Sequence, residues 1–105
     1  MSSQVCWRAI HYRSLLVEEW EDGFTVFQPD SGKTHFLNPV AMRILQTLHA
    51  APDGNLAEDA IVADLLSWFE TGSSPDVLAE VEMTLSHLDE LGLIEWLAEG
   101  SRRDP

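Results

Sequence analysis

Between Phe24 and Leu48 the chain reads FTVFQPDSGKTHFLNPVAMRILQTL: two short β-type runs around a Pro-Asp-Ser-Gly turn, then a helix that starts abruptly. In the turn Pro29 presets its own φ, Asp30 and Ser31 can bond nearby amides, and Gly32 can take positive φ, so Phe24 to Phe27 and Thr34 to Leu37 are predicted to pair as a hairpin. Asn38 suits the N-cap of the helix, and Pro39 suits its first turn, where a missing N–H costs nothing. Val40, Ala41, Ile44, Leu45 and Leu48 then form one apolar stripe. A sheet edge that runs directly into a helix makes a groove, and grooves of this kind bind peptides.

The flanking segments complete an α+β domain of winged helix-turn-helix-like layout, with a small antiparallel N-terminal sheet, three helices and a short C-terminal strand. Val5 to Ile10 and Leu15 to Trp20 are weak strand candidates that would join the Phe24 strand in a meander through the Glu21-Asp22-Gly23 turn. A second helix is predicted from about Leu56 to Phe69, with Ile61, Leu65, Leu66 and Phe69 apolar. Ser74 as N-cap with Pro75 after it opens a third, whose inward positions are Val77, Val81, Leu85 and Leu88 and whose end is marked by Gly92. Leu93 to Leu97 reads as a terminal strand, and Ala98 to Pro105 as a loose tail. With 105 residues the chain suits one core, so the divisions are an N-terminal extension over 1–14, read as an added strand, a domain over 15–97 and a tail over 98–105.

Charge narrows the function. Six Lys and Arg against 18 Asp and Glu leave a formal net charge of −12, and between Arg43 and Arg102 there is no Lys or Arg but there are twelve Asp and Glu. In a winged fold the third helix would read DNA with Lys and Arg, whereas this one offers Asp76, Glu80, Glu82, Asp89 and Glu90. Nucleic acid is therefore not an expected partner, and neither is a membrane, since no apolar run approaches about 20 residues. A single cysteine, Cys6, fits a reducing compartment, and the expected location is cytoplasmic.

No catalytic constellation emerges. Ser31-Gly32-Lys33-Thr34 imitates the end of a phosphate-binding loop, but Phe27 stands where that motif needs a glycine, and a strand follows where it needs a helix. His11, His35, His49 and His87 are scattered without metal-ligand spacing, so neither metal nor cofactor is expected. His49 suits the negative end of its helix, while Glu18, Glu19, Glu21 and Asp22 read as a solvated charge run beside a turn. Trp7, Trp20, Phe24, Phe27, Phe36, Trp68, Phe69 and Trp96 are taken as core by default, although one face of the Phe24 strand can remain only partly covered, which also admits a subunit interface and hence a homodimer.

Phe36-Leu37-Asn38-Pro39-x-Ala41-x-x-Ile44-Leu45, the later Val81, Leu85 and Leu88, and the ending Leu91-Gly92-Leu93-Ile94 resemble the PqqD-like family of small peptide chaperones, also called precursor-peptide recognition elements. The match is nearest to the branch named the HPr-rel-A system PqqD family and covers roughly Leu15 to Leu97. The resemblance implies a three-stranded sheet on three helices, no catalysis, and a leader segment of a precursor peptide added as a strand between the third sheet strand and the third helix, for presentation to a modifying enzyme. Its extension, Met1 to Ser14, and its acidic second half depart from the family, and the extension is placed to cover the docking edge.

The residues give that mechanism a physical form. Main-chain groups of Lys33, Thr34, His35, Phe36 and Leu37 would pair with the peptide, and its alternate side chains would enter pockets beside Val77, Glu80, Val81, Thr84 and His87. Leu78, Glu82 and Asp89 would line the opposite flank of the helix. The acidic second half predicts Lys or Arg in the bound segment and binding that weakens with salt. The alternatives are a winged-helix regulator acting through protein contacts and a structural subunit of an enzyme complex.

Overall fold

The hairpin forms at the turn chemistry that predicts it. In the computed structural model, which describes residues 5–52, 54–69 and 74–98, strands β3 (Gly23–Gln28) and β4 (Lys33–Leu37) pair antiparallel, with Phe24 opposite Leu37 and Phe27 opposite Thr34. Gly32 takes φ 73° and donates its N–H to the Gln28 carbonyl at 2.8 Å. Strand β2 (Leu16–Trp20) pairs with the other side of β3, giving a sheet of order β2-β3-β4.

Helix α1 (Pro39–Ala50) is separated from β4 by a single residue, Asn38, whose carboxamide oxygen accepts the Ala41 N–H at 2.8 Å. Its buried residues are Ala41, Met42, Ile44, Leu45 and Leu48. Met42 is buried and Val40 only partly so, because α1 packs against the N-terminal strand Val5–Ala9, β3, β4 and both other helices, and its apolar face is wider than a single stripe. Helix α2 is Glu58–Phe69 rather than starting at Leu56, because Leu56–Ala57 pairs as a two-residue strand, β5, with Cys6 and Trp7. Helix α3 is Ser74–Glu90, with Val77, Val81, Leu85 and Leu88 buried as their spacing predicts. After it, Gly92 takes φ 79°, a left-handed position that only glycine occupies freely, and Leu93 closes back on the Leu88 carbonyl at 3.0 Å.

One expectation fails in an instructive way. The N-terminal strand β1 (Val5–Ala9) does not join the meander; it pairs with the terminal strand β6 (Ile94–Ala98), Trp7 opposite Trp96, in a separate sheet of order β5-β1-β6. The cause is local. His11 takes left-handed φ 49°, and a single 3-10 turn over Tyr12–Ser14 redirects the chain before β2. Ile10 continues the β1–β6 ladder by donating to the Leu93 carbonyl at 2.9 Å, and Arg8 pairs with Glu95 across it. Residues 5–14 of the extension therefore do not cover β4, which pairs only with β3 among the described residues. Residues 1–4 and 99–105, and so most of the tail, lie outside the described residues.

The core joins Val26 and Leu37 of the β2-β3-β4 sheet to all three helices and to Leu93 and Ile94. Helices α1 and α2 are further clamped by Arg43, which donates through Nε and Nη2 to the two Asp64 carboxylate oxygens at 2.9 Å each, while Thr47 donates to the same carboxylate at 3.1 Å. The Arg43 guanidinium also lies 5.4 Å from the Trp68 ring centroid. That pairing raises the Arg43 pKa, chiefly through the hydrogen bond to Asp64. At the end of α1, His49 stacks on Tyr12 at 4.2 Å, tying the 3-10 turn to the helix. The default placement of aromatics in the core fails for Trp20, Phe36, Trp68 and Trp96, all of which are exposed.

Candidate functional site

Strand β4 runs along the open side of its sheet and hands the chain directly to α1, so the first turn of α1 and the middle of α3 stand across from its free edge. Phe36, Leu37, Asn38 and Ala41 line one side of a groove there, and Glu80, Met83, Thr84 and His87 line the other, enclosing about 310 Å³. The volume lies at the low end of the roughly 300–1,000 Å³ found for small-molecule sites. A strand edge along one wall gives this groove a different repertoire. In an antiparallel edge strand every second residue directs its N–H and C=O away from the sheet, and those unpaired groups template a further strand.

The predicted residues separate into three groups. Phe36, Leu37, Glu80, Thr84 and His87 come together in the groove wall. Lys33 and Thr34 are exposed on the same strand, at its turn end. Val77 and Val81 are buried core residues at 4% and 0% exposure and are not among the residues that line the groove. They belong to the buried stripe by which α3 joins the core. Asn38, Ala41 and Met83 were not anticipated as lining. Met83 was within reach of sequence reasoning, since it lies three residues after Glu80 and four before His87 and so shares their side of α3.

His35 has a role of its own. It pairs with buried Val26 on the inward face of the sheet, and its Nε2 lies 2.6 Å from the Gln28 Oε1. That oxygen also accepts from Ser31 Oγ at 3.4 Å, and since a carboxamide oxygen only accepts, His35 Nε2 carries the proton. Gln28 Nε2 in turn donates to the Gly92 carbonyl at 3.5 Å, linking the hairpin to the end of α3. Partial burial lowers the His35 pKa, and coulombic interaction with Lys33 and then His87 lowers it further.

Gly23 explains how the outer wall is held. A Cβ there would fall 2.5 Å from both the Leu37 carbonyl oxygen and Phe36 Cζ. The Phe36 ring therefore lies across the Gly23 backbone, an aromatic covering a strand glycine. No group of three or more His, Cys, Asp or Glu able to hold a metal occurs among the described residues, and no described helix is long and apolar enough to cross a membrane.

The residues thus form a small α+β domain with a groove between one sheet edge and a helix. The family model for Coenzyme PQQ synthesis protein D (PqqD) matches residues 23–94, from the first residue of β3 to the first of β6, and the chain belongs to that family. Two solved structures share the fold. One is described as TbiB1 in complex with the TbiA(beta) leader peptide, with TM-score 0.62, 18% identity and coverage of 91% of this chain and 99% of that one. The other is lasso peptide synthetase B1 complexed with the leader peptide, with TM-score 0.60, 20% identity and coverage of 85% and 96%. No curated protein matches the chain in sequence.

Proposed function

We propose that this protein is a non-catalytic peptide-binding adaptor that takes up the leader segment of a precursor peptide as an added strand on β4, against α3, and presents the remainder to a modifying enzyme. The observation that carries this reading is the groove between the uncovered edge of β4 and the Glu80–His87 face of α3, in a member of a family whose fold is shared by two leader-peptide complexes. Main-chain pairing along 33–37 supplies sequence-tolerant affinity. Phe36 and Met83, the exposed apolar residues of the groove, receive apolar side chains, and Glu80 favours Lys or Arg beside them. The reaction belongs to the partner enzyme, and both act in the cytoplasm.

Selection of binders from a displayed library of random short peptides tests the reading. The expected binders alternate apolar and other residues, carry Lys or Arg, and lose affinity as salt rises. Selection of acidic peptides, salt-independent affinity, or no binder at all would overturn it.

A further inference from the structure

The β2-β3-β4 sheet has a second surface that the leader groove does not use. Strand alternation places Leu16, Glu18 and Trp20 on the outer face together with Thr25, Phe27 and Phe36, because Leu16 stands opposite Phe27, Glu18 opposite Thr25 and Thr25 opposite Phe36. Leu16 is 62% exposed, Trp20 51% and Phe36 53%. Strand β2 is exposed at all five residues, so the helices cover neither of its faces at full depth, and even inward-facing Val17 is 42% exposed. The strand also lies outside the residues matched by the family model.

Two of the aromatics are fixed in place. The Trp20 indole Nε1–H donates to Thr25 Oγ1 at 2.7 Å, holding the ring down on the sheet, and the Phe36 ring is seated on Gly23. Rigid, pre-positioned aromatics lose little entropy on docking and are the typical anchors of interfaces. Surface Trp and Phe without a partner are otherwise a liability on an edge strand.

Charge selects the occupant. Glu18 lies in the middle of the apolar patch, between Leu16 and Trp20, with Glu19, Glu21 and Asp22 close by in sequence. A second copy would bring these carboxylates against their own counterparts, on a chain whose net charge is already −12. Nucleic acid and anionic membranes are repelled for the same reason. A protein surface carrying apolar side chains around a Lys or Arg fits, with the cation opposite Glu18.

We propose that the outer face of β2, centred on Leu16, Glu18 and Trp20, docks the modifying enzyme through a basic, apolar segment of that enzyme. This deepens the adaptor reading and rests on it. Phe36 borders both surfaces, so a peptide strand on β4 and an enzyme on β2 and β3 would occupy adjoining parts of one sheet, which brings the presented peptide beside the enzyme that acts on it.

The test places a photo-crosslinking amino acid at Leu16 in the full-length chain, expressed in the cells that make it, with the captured segments identified by mass spectrometry. The expected product joins the chain to a peptide-modifying enzyme through a segment containing Lys or Arg. Glu18→Lys should lower its yield about tenfold, a loss of about 1.4 kcal/mol, and the reverse charge change in the captured segment should restore it. Crosslinking to a second copy, to the peptide or to a protein of another kind, no product, or a yield indifferent to Glu18→Lys would overturn the proposal. Binding of the library-selected peptide is measured on the same Glu18→Lys variant and should be unchanged, since Glu18 lies outside the groove. Absence of peptide binding in the unaltered protein strikes the adaptor reading, whereas intact peptide binding with no Glu18-dependent crosslink strikes this proposal alone, so the two failures are distinguishable.

Discussion

Gly23→Ala tests how the docking edge is held, because two ordinary effects predict opposite signs. Gly23 is not among the residues with positive φ, and at such a position alanine normally stabilises by about 0.4–1 kcal/mol through the unfolded chain. Here the new Cβ would sit 2.5 Å from the Leu37 carbonyl oxygen and 2.5 Å from Phe36 Cζ. The carbonyl belongs to the backbone of the paired strand and cannot retreat without opening the β3–β4 ladder; the ring can leave only by giving up its seat on the sheet. Overpacking of this kind costs about 1–3 kcal/mol, so the net expectation is a destabilisation of about 1–2 kcal/mol. In thermal unfolding that is a fall of roughly 4–10 °C for a domain of this size. In a Phe36→Ala background the ring clash disappears and the carbonyl clash remains, so the cost of Gly23→Ala should shrink without changing sign, with a coupling of about 0.5–1 kcal/mol. A Gly23→Ala variant as stable as the parent, or more stable, would refute the close approach of β4 to Gly23.

Asn38→Ala removes the oxygen that caps Ala41 and should cost about 1 kcal/mol in urea unfolding, whereas Asn38→Gly should cost only a few tenths. Asp64→Asn keeps the shape of the α1–α2 clamp and removes its charge; with both Arg43 contacts at 2.9 Å but the pair partly exposed, the expected loss is about 1 kcal/mol, and a double variant with Arg43→Met should lose less than the sum of the singles. Stability should also depend on His35. Its folded pKa is lowered, by burial first, then Lys33 and His87, so just below the ordinary value of about 6.5 the unfolded chain binds more protons than the folded one. That contribution is full above about pH 6.5 and is lost as pH falls towards the folded pKa; urea midpoints should drop over that interval, and His35→Gln should flatten the slope.

The parts of the fold that could be read from sequence are those governed by local chemistry. The Asn38-Pro39 helix start, the Gly32 turn, the Gly92 stop and the 77–81–85–88 stripe each depend on a few neighbouring residues, and each appears where the sequence puts it. The strand-to-helix groove was readable because its walls are set by one strand register and one helical wheel, and it is Glu80, Thr84 and His87 that line it on the α3 side. Pairing of β1 with β6 was not readable, since it joins residues about ninety positions apart, and the left-handed turn at His11 that permits it carries no glycine to announce it. The burial of Val77 and Val81 was less legible, because a helical wheel cannot tell the stripe that faces the core from its border. Exposure of Trp20 and Phe36 escaped for a related reason: alternation places them on one face, but only the position of the helices decides which face is covered.

Amide hydrogen exchange along β4, with and without the library-selected peptide, addresses strand addition most directly. The unpaired N–H groups among residues 33–37 should become protected when the peptide binds, at alternate positions along the strand, while those of β2 exchange as before. Binding that leaves β4 unprotected, or that protects β2 in its place, would contradict a leader strand seated between β4 and α3.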